Sequence, residues 1–185
     1  MTDILTGIGA AICSNLASKG CNLVMNYTSD NSASATEKLA KELEDGHGIK
    51  TVVVQADMGS VRGPAHIVEV GKNHFTHPRS GKFQIDILIN NAGVSYNRSI
   101  EDCDAEDFDK QYHINVLGPL LLVQAALPYL PHDRSGRIVN ISSVSSSLGF
   151  KQQSVYGGTK AALEAMTRTW SVSYTHLTLP TNREV

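Results

Sequence analysis

The sequence predicts a doubly wound α/β domain, and two observations carry that prediction. Short runs rich in Val, Ile and Leu alternate from end to end with amphipathic helical segments. The runs are continuously apolar and do not alternate, as expected of strands buried on both faces of a parallel sheet joined by right-handed crossovers. Ligands of such sheets bind beyond the carboxyl ends of the strands.

In chain order, residues 4–6 read as a first strand leading into a helix with Ile8, Ala11, Ile12, Leu16 and Ala17 on one face before Gly20 stops it. Residues 21–27 read as a buried strand. Residues 33–44 read as a helix capped by Ser32, with Ala35, Leu39 and Leu43 inward. A strand over 51–57 precedes a weak helix over 61–70, and 74–82 reads as a surface loop. Residues 85–93 form the strongest strand pattern, ending in Asn90-Asn91-Ala92-Gly93. A long helix over 107–127 is expected to kink at Gly118-Pro119, followed by a strand over 137–142 and a helix over 156–170.

Composition narrows the function. The 185 residues are 41% hydrophobic and 18% charged with a net charge of −2, which fits a folded domain without the basic footprint of a nucleic-acid or membrane-surface binder. Three scattered cysteines, Cys13, Cys21 and Cys103, argue against a disulfide framework or a zinc site and suit a reducing, cytoplasmic setting. His74 and His77 lack a carboxylate or thiol partner at ligand spacing, so no metal is expected. The longest apolar runs fall short of the ~20 residues of a membrane helix, and no basic-then-apolar leader opens the chain.

Two constellations point to chemistry. Thr6-Gly7-Ile8-Gly9 sits where the first strand turns into the first helix, where free N–H groups can hold a pyrophosphate; a plain tight turn explains it equally well. Tyr156 and Lys160, four apart on a helix, share a face, and an ammonium beside a phenol favours the phenolate and makes it a usable acid/base. Ser142-Ser143 at the preceding strand end brings a hydroxyl to the same crevice, a convergence of donors that suits a polarised carbonyl.

Together these pieces resemble the classical short-chain dehydrogenase/reductase family, a Rossmann-fold family, and in particular its 3-oxoacyl-carrier-protein reductase-like members, including fungal reductases of polyketide and naphthol type. The glycine turn, Asn90-Asn91-Ala92-Gly93, Asn115, Ser143, and Tyr156 with Lys160 stand in the family's order. The resemblance implies an NADP-dependent oxidoreductase interconverting a carbonyl and a secondary alcohol. Tyr156 would be the proton donor or acceptor. Lys160 would lower its pKa and hold the nicotinamide ribose, Ser143 would bind the substrate oxygen, and Asn115 would bend its helix and seat a relay water. Gly7, Ile8 and Gly9 would face the pyrophosphate, Asp57 and Met58 the adenine, and Asn91, Ala92 and Gly93 would pass beneath the cofactor. Asn26, Tyr27 and Thr28 end the second strand without a carboxylate, which favours NADP over NAD. The resemblance also implies dimers or tetramers through the long helix and the Tyr-bearing helix, and a small carbonyl substrate, ketoacyl or polyketide-like. A non-catalytic nucleotide sensor and an extended-branch epimerase or dehydratase are the rival readings; the complete set of four catalytic positions opposes the first, the Asn-Asn-Ala-Gly turn the second.

The chain departs from the family twice. T-G-x-x-x-G-I-G is here Thr6-Gly7-Ile8-Gly9, about four residues shorter. After Trp170 the family would continue into further strands and the substrate helices, whereas residues 172–185 read like a translated sequencing-library adapter. The expected organisation is a domain over 1–171, incomplete at its C-terminal end, and a non-native tail over 172–185.

Overall fold

The computed structural model describes residues 7–174. Along the chain run α1 (Ile8–Ser18), β1 (Leu23–Tyr27), α2 (Ala33–His47), β2 (Thr51–Gln55), α3 (Gly63–Phe75), β3 (Ile87–Asn90), α4 (Ala105–Tyr112), a π-helical turn (His113–Leu117), α5 (Gly118–Ala126), β4 (Arg137–Asn140) and α6 (Ser154–Ser173). The expected first strand at 4–6 lies outside the described residues. β1 pairs in parallel with β2, Leu23 opposite Thr51, and β3 in parallel with β4, Ile87 opposite Arg137. Among the described residues the sheet is therefore two parallel pairs. Each strand is followed by a helix, which is the predicted α/β architecture.

Two apolar clusters hold these halves. Ala17, Leu23, Met25, Ala40, Leu43 and Ile49 join α1 and α2 to β1. A larger cluster gathers Val54, Ile67, Val68, Leu88, Leu122, Ala126, Ile138 and Trp170, tying α3, α5 and α6 to β2, β3 and β4. Burial of this kind stabilises by roughly 1.5–3 kcal/mol per large aliphatic side chain.

Local chemistry explains the helix ends and several departures from expectation. α4 starts where the Asp104 carboxylate accepts from Asp107 N at 2.6 Å. Ser32 does precede α2, but its side chain makes no capping bond; Thr36 Oγ1 donates to Ser32 O instead. α2 turns Leu39 and Leu43 inward as read and also buries Thr36 and Ala40, but Ala35 is exposed. In α1 Ala17 is buried and Leu16 packs against the same cluster as read, with Cys13 and Gly9 also inward, whereas Ile8 and Ala11 are exposed. α3 extends to Phe75, so His74 is helical and the loop begins after it. The long helix switches to π-type bonding at His113–Leu117, before Gly118-Pro119, and runs on into α5 with Leu117 and Gly118 in right-handed helical backbone; Pro119, which has no N–H to give, follows directly on this turn. α6 runs three residues past Trp170. The strands are shorter than read, and two are not buried on both faces: Val24 is 38% and Ile87 37% exposed.

Candidate active site

α6 reaches the end of β4 because Gly157 lets it. A Cβ there would lie 2.6 Å from Ser145 O, so only glycine permits this approach of the first turn of α6 to the turn after β4. Three residues on, Lys160 is buried, 4% exposed, and its Nζ donates to Ile141 O at 2.8 Å. The ammonium lies 5.8 Å from the centre of the Tyr156 ring, the two side chains sharing a helix face as their spacing requires. Burial pushes the Lys160 pKa down to about 8.

Asn115 occupies the π-helical turn and is wholly buried. Such turns insert an extra residue into a helix and re-aim its side chains. Here the Asn115 amide faces the loop after β3: Oδ1 accepts from Val94 N at 2.8 Å, and Nδ2 donates to Val94 O at 2.8 Å and to Thr159 Oγ1 at 3.0 Å. Thr159 in turn donates to Tyr156 O at 2.7 Å. A Cβ on Gly93 would stand 3.3 Å from Asn115 Oδ1 and 3.4 Å from Lys160 Nζ, so Gly93, Asn115 and Lys160 converge.

Ser143, three residues beyond β4, is in extended backbone and caps the short turn Val144–Ser146. Its Oγ accepts from Ser145 N at 3.2 Å and donates to Ser145 Oγ at 3.2 Å. The flanking hydroxyls are pinned to α6: Ser142 Oγ and Ser146 Oγ both donate to Glu164 Oε1, at 2.7 and 2.5 Å.

The candidate cofactor residues fall on a second region. Gly9, Asn26, Tyr27, Thr28, Met58, Asn91 and Ala92 border one groove of about 680 Å³. Gly7 adopts a φ of 92° ahead of α1, and the first N–H groups of α1 lack intrahelical carbonyl partners, the first such bond being Ala11 N to Gly7 O. Ile8 is 61% exposed beside them. Asn26 is committed elsewhere: its Nδ2 donates to Tyr27 O, Val54 O and Ala56 O at 3.1, 3.2 and 2.9 Å. Asp30, the nearest carboxylate, accepts from Gln55 Nε2 at 2.6 Å. Asp57 Oδ1 accepts from Gly59 N at 2.8 Å, and Met58 is buried in the larger core cluster.

Sequence reasoning passed over Thr159 and Glu164. Both stand on α6 at helical spacing from Tyr156 and Lys160, which was signal enough for Thr159; nothing in one sequence pairs Glu164 with two serines of another element. Asn140 was also missed: it accepts from Asn90 Nδ2 at 2.7 Å and donates to Thr167 Oγ1 at 2.7 Å, bridging β3, β4 and α6. Among the described residues no cluster of His, Cys, Asp and Glu could hold a metal ion, and no helix is long and apolar enough to cross a membrane.

Comparison with known proteins shows what the chain as a whole is similar to. The chain is 56% identical over 173 residues to an L-xylulose reductase of Aspergillus niger, covering 89% of this chain and 58% of that protein. It is 50% identical over 181 residues to an L-xylo-3-hexulose reductase of Hypocrea jecorina, covering 92% and 60%. The chain thus spans about three-fifths of the length of these curated relatives. Among solved structures, angucycline C-6 ketoreductase LanV with bound NADP superimposes with a TM-score of 0.87 at 30% identity, over 96% of this chain and 68% of that one. A blue fluorescent protein from a metagenomic library in complex with NADPH does so with 0.85 at 30% identity, over 94% and 67%. The family model for short chain dehydrogenases matches residues 2–178, and the chain belongs to that family.

Proposed function

We propose that the protein containing this chain is an NADP-dependent reductase of small ketones, with Tyr156 as its acid/base. The observation that carries the reading is the convergence of Tyr156, buried Lys160, Asn115 and Gly93 at the carboxyl ends of β3 and β4. The groove bordered by Thr28, Asn91 and Ala92, with the open N–H groups of α1 at its rim, offers the donors that a dinucleotide's pyrophosphate needs. Gly9 and the α1 N-terminus would hold the pyrophosphate, Tyr27 and Thr28 the adenosine ribose, and Lys160 the nicotinamide ribose; the group, when bound, supplies the hydride. NADP is favoured because relatives of the same fold are solved with NADPH or NADP and because no carboxylate stands at the end of β1.

Reduction adds a hydride to the carbonyl carbon and a proton to its oxygen, and this chain's residues handle the proton. Tyr156 Oη donates it, Ser143 Oγ donates a hydrogen bond to the same oxygen, and the Lys160 ammonium stabilises the phenolate left behind. Asn115 fixes the turn against which Gly93 and Lys160 meet. Similarity to an L-xylulose reductase and an L-xylo-3-hexulose reductase favours an open-chain ketose over a ketoacyl substrate. Assembly through α4, α5 and α6 belongs to the same proposal; Phe108 and Leu120 are exposed there, whereas Leu122, Val123 and Leu163 are core.

The test is NADPH oxidation by the full-length protein that carries this chain, with ketoses, ketoacyl thioesters and aromatic ketones offered side by side. Tyr156→Phe should lower turnover by a factor on the order of 10² or more while NADPH binding survives. Equal turnover in that variant, or no NADPH binding by the parent, refutes the assignment.

A further inference from the structure

Ser143 belongs to a chain of hydrogen bonds that sets where its hydrogen points. Its Oγ accepts from Ser145 N and donates to Ser145 Oγ, both at 3.2 Å, and Ser145 Oγ donates to Gln153 Oε1 at 2.5 Å. An amide oxygen only accepts, so Gln153 claims the Ser145 hydrogen. The Ser145 oxygen is left as an acceptor, and the Ser143 hydrogen turns to it. A hydroxyl carries one hydrogen, so in this arrangement Ser143 has none to give a ketone oxygen.

The third member of the chain is held where it can reverse that direction. Gln152 stands in left-handed backbone, φ 63°, with its C=O accepting from Arg98 N at 3.0 Å, and Gln153 follows as the residue that opens α6. Gly157 N donates to Gln153 O at 2.8 Å, and the missing side chain of Gly157 lets this turn close on Ser145. Gln153 is thus anchored at its base and half-buried, while its Nε2 has no hydrogen-bond partner among the described residues. A terminal amide has two preferred orientations, half a turn apart. In the second, Nε2 donates to Ser145 Oγ, Ser145 donates to Ser143 Oγ, and the Ser143 hydrogen is released. Ser143 Oγ then accepts twice, from Ser145 N and Oγ, which its two lone pairs allow. Both hydroxyls stay bonded in either direction.

We propose that Ser145 and Gln153 are positioning residues for the reduction, a role that rests on Ser143 binding the substrate oxygen. Together they form a reversible chain that withholds the Ser143 hydrogen in the empty site and presents it to a bound ketone. No covalent bond changes, each hydrogen stays on its own atom, and two hydrogen bonds reverse. A ketone oxygen favours the second direction because it offers the released hydrogen an acceptor that the empty site lacks. Negative charge building on that oxygen strengthens the bond, so the gain is largest in the transition state.

The test uses the full-length protein that carries this chain, with NADPH and the ketose it reduces best. Gln153→Glu supplies an acceptor of the same length that cannot donate, which locks the chain in its first direction. Turnover should fall about 100-fold with KM changed less than about threefold, as for loss of one donor to the developing oxyanion. Ser145→Ala cuts the chain and should cost about fivefold alone; with it in place, Gln153→Glu should cost no more than about twofold further. NADPH affinity, read by fluorescence titration, should stay within about twofold in every variant. Should Gln153→Glu fail to fold, Gln153→Met decides: about fivefold alone, and under about twofold once Ser145 is alanine.

A double variant as slow as Gln153→Glu overturns the proposal, because the carboxylate then acts by its charge and not through Ser145. So does parent-like turnover in Gln153→Glu, and so does NADPH affinity that falls in step with turnover. A loss near 100-fold in Gln153→Met does the same, since it makes Gln153 a direct substrate contact. A parent that reduces no ketone refutes the role of Ser143 and this one with it, whereas an active parent without this pattern of variants refutes the chain alone.

Discussion

Replacing Asn115 by alanine should destabilise the fold by about 3 kcal/mol or more, a large share of the total for a domain of this size. The figure follows from the partners left behind. Val94 is 5% exposed, and both its N–H and its C=O are paired to the Asn115 side chain, each at 2.8 Å. Alanine orphans both groups, at roughly 1–3 kcal/mol apiece. Thr159 Oγ1 is spared, because it still donates to Tyr156 O. Urea unfolding followed by far-ultraviolet circular dichroism reads the change: with a slope near 2 kcal/mol per molar, the midpoint falls by about 1.5 M. Asn115→Asp is the informative companion. A carboxylate keeps an acceptor for Val94 N but sets a negative charge against Val94 O, so it should cost at least as much as alanine. A midpoint shift below about 0.3 M in Asn115→Ala would mean that the Val94 loop is held by something other than this amide.

Other expectations are equally direct. Lys160 has a folded pKa of about 8, below its unfolded value, so the unfolded chain binds the extra proton between those two values; stability contributed through this group rises with pH across that window. The stability of Lys160→Met relative to the parent should therefore fall in urea melts as pH rises above 8, whatever the pH-independent loss of the bond to Ile141 O adds; a difference independent of pH refutes burial as the cause. Gly157→Val forces a side chain against Ser145 O and should cost roughly 1–3 kcal/mol in the same melts, and parent-like stability would show that α6 can back away freely. Asn26→Asp should lower stability by about 1–3 kcal/mol, because a carboxylate would replace the donor now shared among Tyr27 O, Val54 O and Ala56 O; an unchanged melt would show that the amide is not a structural clasp.

That last expectation marks where the sequence stops being readable. From Asn-Tyr-Thr at a strand end one reads three neutral donors facing a ligand, yet Asn26 turns its amide onto carbonyls of two strands, a contact 28 to 30 residues away in the chain. Tyr156 and Lys160 were legible because helical spacing alone puts them together. The chain order and the parallel pairing were legible because apolar runs and amphipathic segments alternate. Asn115 stood out as a residue, but its place in a π-helical turn depends on Val94 and Thr159, which no local pattern names. In α2 Leu39 and Leu43 face the core as read, but Thr36 is buried where Ala35 was expected, because its hydroxyl bonds Ser32 O.

Glu164 has a consequence for how such a site can diverge. The two hydroxyls it holds flank Ser143, and it rides on the same helix as Tyr156 and Lys160. The three side chains to which the proposed proton chemistry falls are thus tied to one helix, whereas the exposed Val144, Leu148 and Phe150 hang outside the clasp. Insertions or exchanges in residues 147–152 would reshape what is admitted to the site without altering the spacing of the donors. A lineage could drift in taste while its proton chemistry stays in register.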